Sequence, residues 1–174
     1  MLAPALLGIG IMVNGVGGII VETEAYDSGD PAAYSFRGRT KHNAVLFGSP
    51  GQAHVHKIYG LHWSLNFVAG VPGSAVLIRA IDPRWGLETM AERRGVSERR
   101  ILCAGPGRLC QALAIDGALN GALFDKSPFR LYERNEEPDV LIGPRIGITK
   151  NADKPWRFGI ANSPFLSKPF RRGR

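Results

Sequence analysis

Cysteine and acidic residues are scarce in this chain. Only two cysteines, Cys103 and Cys110, occur among 174 residues, which excludes a small secreted protein held together by disulfides. We expect both to be reduced, half-buried residues of the core. The 15 acidic residues are outnumbered by 22 basic ones, mostly arginine, so the formal net charge is +7. This excess of positive charge is consistent with a polyanionic partner, such as nucleic acid or membrane headgroups. It is equally consistent with a basic surface that only keeps the protein soluble.

The first twenty residues contain no charged side chain. They also lack a basic leading segment, and Pro4, Asn14 and several glycines interrupt the apolar run, which argues against a signal peptide or a membrane span. Asn14-Gly15 between apolar runs predicts a hairpin turn. We therefore expect a monomer that binds no membrane, located in the cytoplasm at the bacterial nucleoid, or in the nucleus of a eukaryote.

Repeats and internal linkers are absent, so residues 1–174 are expected to form a single domain. Patterning predicts two helices, one after Pro83 that Gly95 ends and one over 107–115. It predicts strands over 16–26, 52–59, 75–81, 145–149 and 156–160. Because strands and helices do not alternate, the fold is expected to be α+β, with a curved, largely antiparallel sheet and flanking helices. A basic tail from about residue 168 is expected to fray and to brush phosphate.

Two carboxylates end the first long strand, directly before a polar loop over 27–51. Glu22 and Glu24 are two residues apart and so face the same side of a strand. A carboxylate beside Tyr26 and a long loop is a candidate general base. The alternative is a pair of solvated charges at a strand end.

A second polar cluster combines imidazoles with aromatic rings. His54 and His56 share a strand face and could bind a metal with His62 or Glu24 as a third ligand. No Cys-x-x-Cys or His-Glu-x-x-His motif supports that hypothesis. Aromatic and imidazole rings interleaved with basic charge instead favour a surface that stacks nucleic-acid bases. The rings concerned are those of Tyr26, Tyr34, His56, Tyr59 and Trp63.

A long ordered set of motifs spans nearly the whole chain: Val21–Tyr26, Ser35–Arg39, Asn43, Phe47, Pro50-Gly51, Tyr59-Gly60, Asn66, Val76–Ala80, Pro83, Gly105–Leu113 and Pro144–Gly147. With these motifs the chain resembles the 3-methyladenine DNA glycosylases of the alkyladenine (mammalian-type, methylpurine) kind. The resemblance implies a monofunctional base-excision enzyme without a cofactor or metal. Such an enzyme flips alkylated or deaminated purines (3-methyladenine, 7-methylguanine, hypoxanthine, ethenoadenine) out of duplex DNA and hydrolyses the N-glycosidic bond.

The resemblance also implies roles for individual residues. Glu24 would be the general base that activates water, Arg79 would hold the water and Glu24, and the main-chain carbonyl of Ile146 would bind the same water. Tyr59 would wedge into the minor groove where the base has left. The amide of Asn66 would crowd the 2-amino group of guanine.

Tyr26, Tyr34 and His56 would complete the base pocket. The family usually has His at the Tyr34 position and Tyr at the His56 position, so the two residue types are exchanged here, and His54 also stands where Tyr is common. This exchange affects selectivity more than reaction type. An ordinary pKa near 6.5 for His56 would make excision of cationic bases fall below about pH 6.

Two other functions stay open from the sequence. One is a damaged-DNA binding protein with an impaired active site, since pocket residues have changed. The other is a metal-dependent hydrolase that uses His54, His56 and His62. Outside the site, Glu22 is expected to cap the loop. Arg93, Arg94, Arg99 and Arg100 are expected to form a solvated helix face or to contact phosphate.

Overall fold

Two long strands, β2 (Val16–Tyr26) and β5 (Ala75–Trp85), pair antiparallel at the centre of one sheet. The computed structural model describes residues 1–170, which form eight strands and four α-helices. The remaining strands are β1 (Gly10–Val13), β3 (Ala53–Ile58), β4 (His62–Val68), β6 (Phe129–Tyr132), β7 (Val140–Gly143) and β8 (Arg157–Ile160). The helices are α1 (Leu2–Ala5), α2 (Leu87–Arg94), α3 (Arg99–Leu102) and α4 (Pro106–Leu113).

Every strand pair is antiparallel, and the sheet order is β3-β4-β5-β2-β1-β6. One edge of β2 pairs first with β1 and then, over Glu22–Glu24, with β8. Strand β7 pairs with β8. The sheet thus curls into a half-barrel around the end of β2. The predicted α+β single domain with a curved antiparallel sheet is confirmed.

Helix α4 supplies much of the core that supports this sheet. Pro106 begins it, as suits a residue with no amide proton to leave unpaired, and Leu109, Ala112 and Leu113 form its buried face. These side chains pack with apolar residues of the strands, among them Leu65 and Ile78. Cys103 and Cys110 are free thiols, as predicted, but fully rather than half buried. Burial raises the pKa of Cys103 to about 12.

The predicted hairpin turn and the strand over 16–26 are confirmed, because Asn14 and Gly15 both take positive φ between β1 and β2. The strands near 52–59, 75–81 and 156–160 and both helices are also found, with shifted ends. The predicted strand over 145–149 is wrong. Gly147 has a φ of +76° there, and the buried Arg145 side chain anchors an irregular loop.

Each of the four arginines after β5 donates a hydrogen bond within the protein; Arg93 and Arg94 are half-buried, whereas Arg99 and Arg100 are exposed, as a solvated face requires. Arg93 donates to the Ala112 carbonyl, and Arg94 to the Leu102 carbonyl. Arg99 pairs with the Asp82 carboxylate, and Arg100 donates to the Pro164 carbonyl. Within residues 1–170 no helix combines the length and apolar character needed to cross a membrane.

Candidate active site

Glu24 is a fully buried carboxylate near the end of β2. The Tyr26 hydroxyl donates to its Oε2 over 2.9 Å, and the main-chain N–H of Ile146 donates to its Oε1 over 2.8 Å. A guanidinium nitrogen of Arg79 lies 3.3 Å from Oε2. A carboxylate has about four lone-pair positions, and these three donors leave room for one more partner such as water.

Arg79 lies between two carboxylates because of an irregularity in the sheet. In the β2–β5 register Thr23 faces Ile78 and Glu22 faces Ala80, so Arg79 has no partner residue in β2. Such β-bulges re-aim a side chain and are frequent beside active sites. Here the Arg79 guanidinium lies 3.3 Å from Glu22 and 3.3 Å from Glu24. The prediction that both carboxylates face one side is confirmed, and the alternative of solvated charges is excluded.

A cavity of about 360 Å³ lies next to Glu24. Glu24 itself does not line it, but the three residues that contact the Glu24 carboxylate, Tyr26, Arg79 and Ile146, do. The volume of the cavity lies within the roughly 300–1,000 Å³ range of ligand pockets. Seven residues that the sequence assigned to the site line it, namely Tyr26, Tyr34, His56, Tyr59, Asn66, Arg79 and Ile146. Burial, and then the charge of Glu24, raise the pKa of Tyr26, so its hydroxyl keeps its proton and serves as a donor.

One wall of the cavity is a stack of three rings. Tyr34 and His56 lie with ring centroids 4.6 Å apart at 14°, and His54 lies 4.7 Å from His56 at 20° and 5.8 Å from Tyr34 at 30°. Tyr34 and His56, whose residue types are exchanged relative to the family pattern, are thus in direct contact. Burial, and then His54, lower the pKa of His56 to about 4. The expected titration near 6.5 is therefore wrong, and His56 is neutral above about pH 5.

Asn66 lies on β4 across from His54. Its amide nitrogen donates to the His54 carbonyl over 3.1 Å and to the Ser64 hydroxyl over 3.3 Å. The side chain is buried and fixed in orientation by these two bonds. Because the Asn66 amide cannot move aside, it can exclude a base whose substituent would clash with it.

Tyr59 lies at the rim of the cavity, in the turn between β3 and β4. Tyr59 and Gly60 both take positive φ, which turns the tyrosine outward, and its side chain is 80% exposed. Its hydroxyl donates to the Gly147 carbonyl over 2.8 Å. An exposed aromatic ring on a tight turn beside a cavity is suited to insertion into a base stack.

Arg145 is a site residue to which the sequence analysis gave no role, although it stands in the Pro144–Gly147 motif. Its guanidinium pairs with Asp30 and donates to the Ala25 carbonyl over 3.0 Å. It also lies 4.6 Å from the centre of the Tyr26 ring, on which it stacks. Arg145 therefore fixes both the loop that carries Ile146 and the tyrosine wall. Burial would raise the pKa of Asp30, but hydrogen bonds from Arg145, the Ala32 N–H and Asn151, together with the charge of Arg145, outweigh burial and the pKa is lowered.

The three histidines do not form a metal centre. Among residues 1–170 no three His, Cys, Asp or Glu side chains are placed to hold one ion. His54 and His56 face each other in nearly parallel planes, whereas a metal lies in the plane of each imidazole that binds it. His62 is exposed at the start of β4 and packs against Gly107.

The fold and this site define a single-domain enzyme with an aromatic pocket beside one buried carboxylate. The family model for methylpurine-DNA glycosylase matches residues 1–164. Relatives whose names provisionally describe them as 3-methyladenine DNA glycosylases cover nearly the whole chain. One from Nitrobacter winogradskyi is 56% identical over 171 residues, 97% of this chain and 82% of its own length. One from Nitrosospira multiformis is 54% identical over 172 residues, 98% of this chain and 89% of its own.

A third relative, from Rhizobium meliloti, is 54% identical over 168 residues, 97% of this chain and 90% of its own length. The chain belongs to the methylpurine-DNA glycosylase family. It is thus an enzyme of DNA repair, a DNA glycosylase, and the resemblance noted in the sequence is confirmed.

Proposed function

We propose that the protein excises alkylated and deaminated purines, 3-methyladenine first among them, from duplex DNA as a monofunctional glycosylase. The related proteins carry 3-methyladenine in their names. The observation that supports the proposal best is that Tyr26, Arg79 and Ile146, which all contact the Glu24 carboxylate, line a cavity with aromatic walls. A purine is flat and stacks between Tyr26 and the Tyr34–His56 pair, with its sugar towards Glu24.

The reaction needs one water molecule and one base. Water bound by Glu24 attacks the anomeric carbon while the bond to the purine nitrogen breaks, and the bonding electrons leave with the purine. Glu24 takes the proton of the attacking water, and its charge stabilises the positive charge that develops on the sugar. A cationic lesion such as 3-methyladenine leaves as a neutral base, whereas hypoxanthine must gain a proton. Arg79 and the carbonyl of Ile146 orient the water.

The target atom is out of reach inside the base stack, so the nucleotide must leave the helix. Extrusion costs roughly a few kcal/mol and less for a damaged, poorly paired base. Tyr59 fills the space left behind, and Asn66 disfavours guanine.

The net charge of +7 supports binding of a monomer to the DNA backbone. The slope of log affinity against log salt should be about −0.9 for each phosphate neutralised.

The test is single-turnover excision from duplexes that carry 3-methyladenine or hypoxanthine, read as alkali-sensitive strand cleavage. Glu24→Gln should reduce the rate by about 10²-fold to 10⁴-fold, because an amide cannot take a proton from water. Its affinity for damaged duplex should change little. Glu88→Gln makes the same chemical change on the exposed surface of α2 and is the matched control.

Three outcomes would contradict the proposal. Excision by Glu24→Gln within about threefold of the wild-type rate would mean that another group is the base. Tight binding of damaged DNA with no excision by the wild type would favour an impaired binding protein. Activity that a chelator abolishes and added metal restores would favour the metal-dependent alternative.

A further inference from the structure

The chain after β8 returns to the buried end of β2. We call residues 163–170 the C-terminal strap. The Ser167 main-chain N–H donates to Oε2 of Glu22 over 2.5 Å, and the Ser167 hydroxyl donates to Oε1 over 2.8 Å. Glu22 is fully buried. The expectation that it caps the loop over 27–51 is therefore wrong, since its partners come from the opposite end of the chain.

A second residue fixes the strap to the same carboxylate. Arg157 donates to Oε1 of Glu22 over 2.7 Å and also donates to the Lys168 carbonyl. The Phe170 ring stacks on the Arg157 guanidinium, whose central carbon lies 3.9 Å from the ring centroid. Gly159 leaves room for that ring, because a Cβ there would lie 2.6 Å from it. Of the tail expected to fray from about residue 168, Lys168 and Pro169 are exposed and Phe170 is half-buried against Arg157, and 171–174 lie outside the described residues.

Glu22 connects the strap with the catalytic machinery. It shares Arg79 with Glu24 at equal distances of 3.3 Å. The four side chains Glu22, Glu24, Arg79 and Arg157 are all buried, and their formal charges sum to zero. Removal of one of these four charged side chains destabilises the fold, because it leaves a buried charge without compensation.

We propose that Glu22 is a positioning residue and that the C-terminal strap holds it in place. Ser167 and Arg157 fix the Glu22 carboxylate, Glu22 draws Arg79 away from Glu24, and Glu24 keeps the freedom to accept a proton. The strap residues that contact Glu22 lie beyond residue 164, where the family match ends. The inference rests on the proposed role of Glu24 as the general base.

The physical effect of losing Glu22 has a defined direction. Without its charge, Arg79 is free to close on Glu24 and stabilises the charged form of that carboxylate. A more stabilised carboxylate is a weaker base, so excision slows and the acid limb of the pH–rate profile moves to lower pH. The other polar groups around Glu24 are the hydroxyl of Tyr26 and the N–H of Ile146. Arg157 faces Glu22, and His54 and His56 line the same cavity.

The experiment compares Glu22→Gln, Glu22→Asp and Ser167→Ala with Ser163→Ala. The last is the matched control, because among residues 1–170 the Ser163 hydroxyl makes a single hydrogen bond, which it accepts from the N–H of Phe165 within the strap. We expect Glu22→Gln to slow single-turnover excision by about tenfold to 10²-fold, as a small misplacement of catalytic groups does. Its affinity for an abasic-site analogue should stay within about threefold of the wild type.

Glu22→Asp keeps the charge and should recover part of the rate and the wild-type acid limb. Ser167→Ala removes one donor to a carboxylate and should slow excision by about threefold to tenfold, which keeps the test decisive if Glu22→Gln does not fold. Wild-type rates and acid limbs in Ser167→Ala and in any folded Glu22 variant would overturn the inference. Because Glu24→Gln tests the general base separately, that result would leave the proposed function standing.

Discussion

The main-chain N–H of Ile146 donates to the Glu24 carboxylate over 2.8 Å. This bond ties the end of β2 to a loop 122 residues later in the sequence. The family resemblance implies that the main-chain carbonyl of Ile146 binds the water that Glu24 activates. One peptide segment thus contacts the proposed base directly, and its main chain matters rather than its side chain.

Substitution of Ile146 separates the main chain from the side chain. Ile146→Pro removes the N–H and should slow single-turnover excision by about tenfold or more, since a hydrogen bond to a charged group is worth roughly 1.5–3 kcal/mol. Ile146→Ala keeps both main-chain groups and should stay within about threefold of the wild-type rate. Equal rates in both variants would show that the N–H does not support Glu24.

The Asn66 amide tests the selectivity of the pocket. Asn66→Ala should raise excision of guanine-type lesions relative to hypoxanthine, because it removes a clash rather than adding a contact. Ser64→Ala, which deletes one of the two acceptors that fix the amide, should shift the ratio in the same direction but less. The measurement is the ratio of single-turnover rates on matched duplexes. An unchanged ratio in Asn66→Ala would place the guanine gate elsewhere.

Arg145 and Asp30 form a buried ion pair that supports the Tyr26 wall. Arg145→Met leaves the Asp30 carboxylate buried without its partner and should lower the free energy of unfolding by about 3–5 kcal/mol. The double variant Arg145→Met/Asp30→Asn carries no unpaired charge and should recover part of that loss. Urea denaturation at pH 7.5 measures both. A double variant less stable than Arg145→Met would contradict the charge-based explanation.

The placement of Glu22 and Glu24 could be anticipated from the sequence, because a period of two puts both on one face of a strand. The role of Tyr59 was implied only by the family resemblance. Strand β4 was not predicted, since Ser64 and Asn66 are buried polar residues that hide its alternation. Buried polar residues such as these can be recognised as the lining of a cavity only when the fold is known.

The family resemblance implied the contact of Arg79 with Glu24, but the contact of Arg79 with Glu22 and the contacts of Arg145 and Ser167 could not be read from the sequence. Arg79 reaches both carboxylates through a bulge, and bulges leave no residue signature here. Arg145 and Ser167 contact Asp30 and Glu22 across 115 and 145 residues. A basic tail and a charged strand end are ordinarily solvated, and only the curl of the sheet buries them together.

The Tyr59 hydroxyl bonds to the Gly147 carbonyl while the ring is exposed, so the ring and the hydroxyl have separable roles. Tyr59→Ala should slow excision from duplex and have less effect when the target base is unpaired, because the wedge is then unnecessary. Tyr59→Phe keeps the ring but frees it from Gly147 and should excise at least as fast as the wild type. A loss in Tyr59→Phe as large as in Tyr59→Ala would assign the role to the hydroxyl instead.

The stacked histidines make the fold sensitive to acid. Burial lowers the pKa of His54 to about 4, and burial together with His54 lowers that of His56 to about 4, from 6.5 in the unfolded chain. Between pH 6.5 and 4 the unfolded state therefore binds more protons than the folded state. The stability that the neutral rings contribute is complete above pH 6.5 and is lost as the pH falls.

Each histidine should make the free energy of unfolding fall by about 1.4 kcal/mol per pH unit across this window. His54→Phe removes one of the two protons taken up on unfolding and should reduce the slope between pH 6.5 and 4 by up to that amount. Comparison with the wild type at pH 7.5, where both rings are neutral, separates the packing change from the proton effect. Urea denaturation at half-unit pH steps gives both slopes. A slope in His54→Phe as steep as in the wild type would show that the His54 ring is already protonated in the folded protein, or that other groups cause its acid sensitivity.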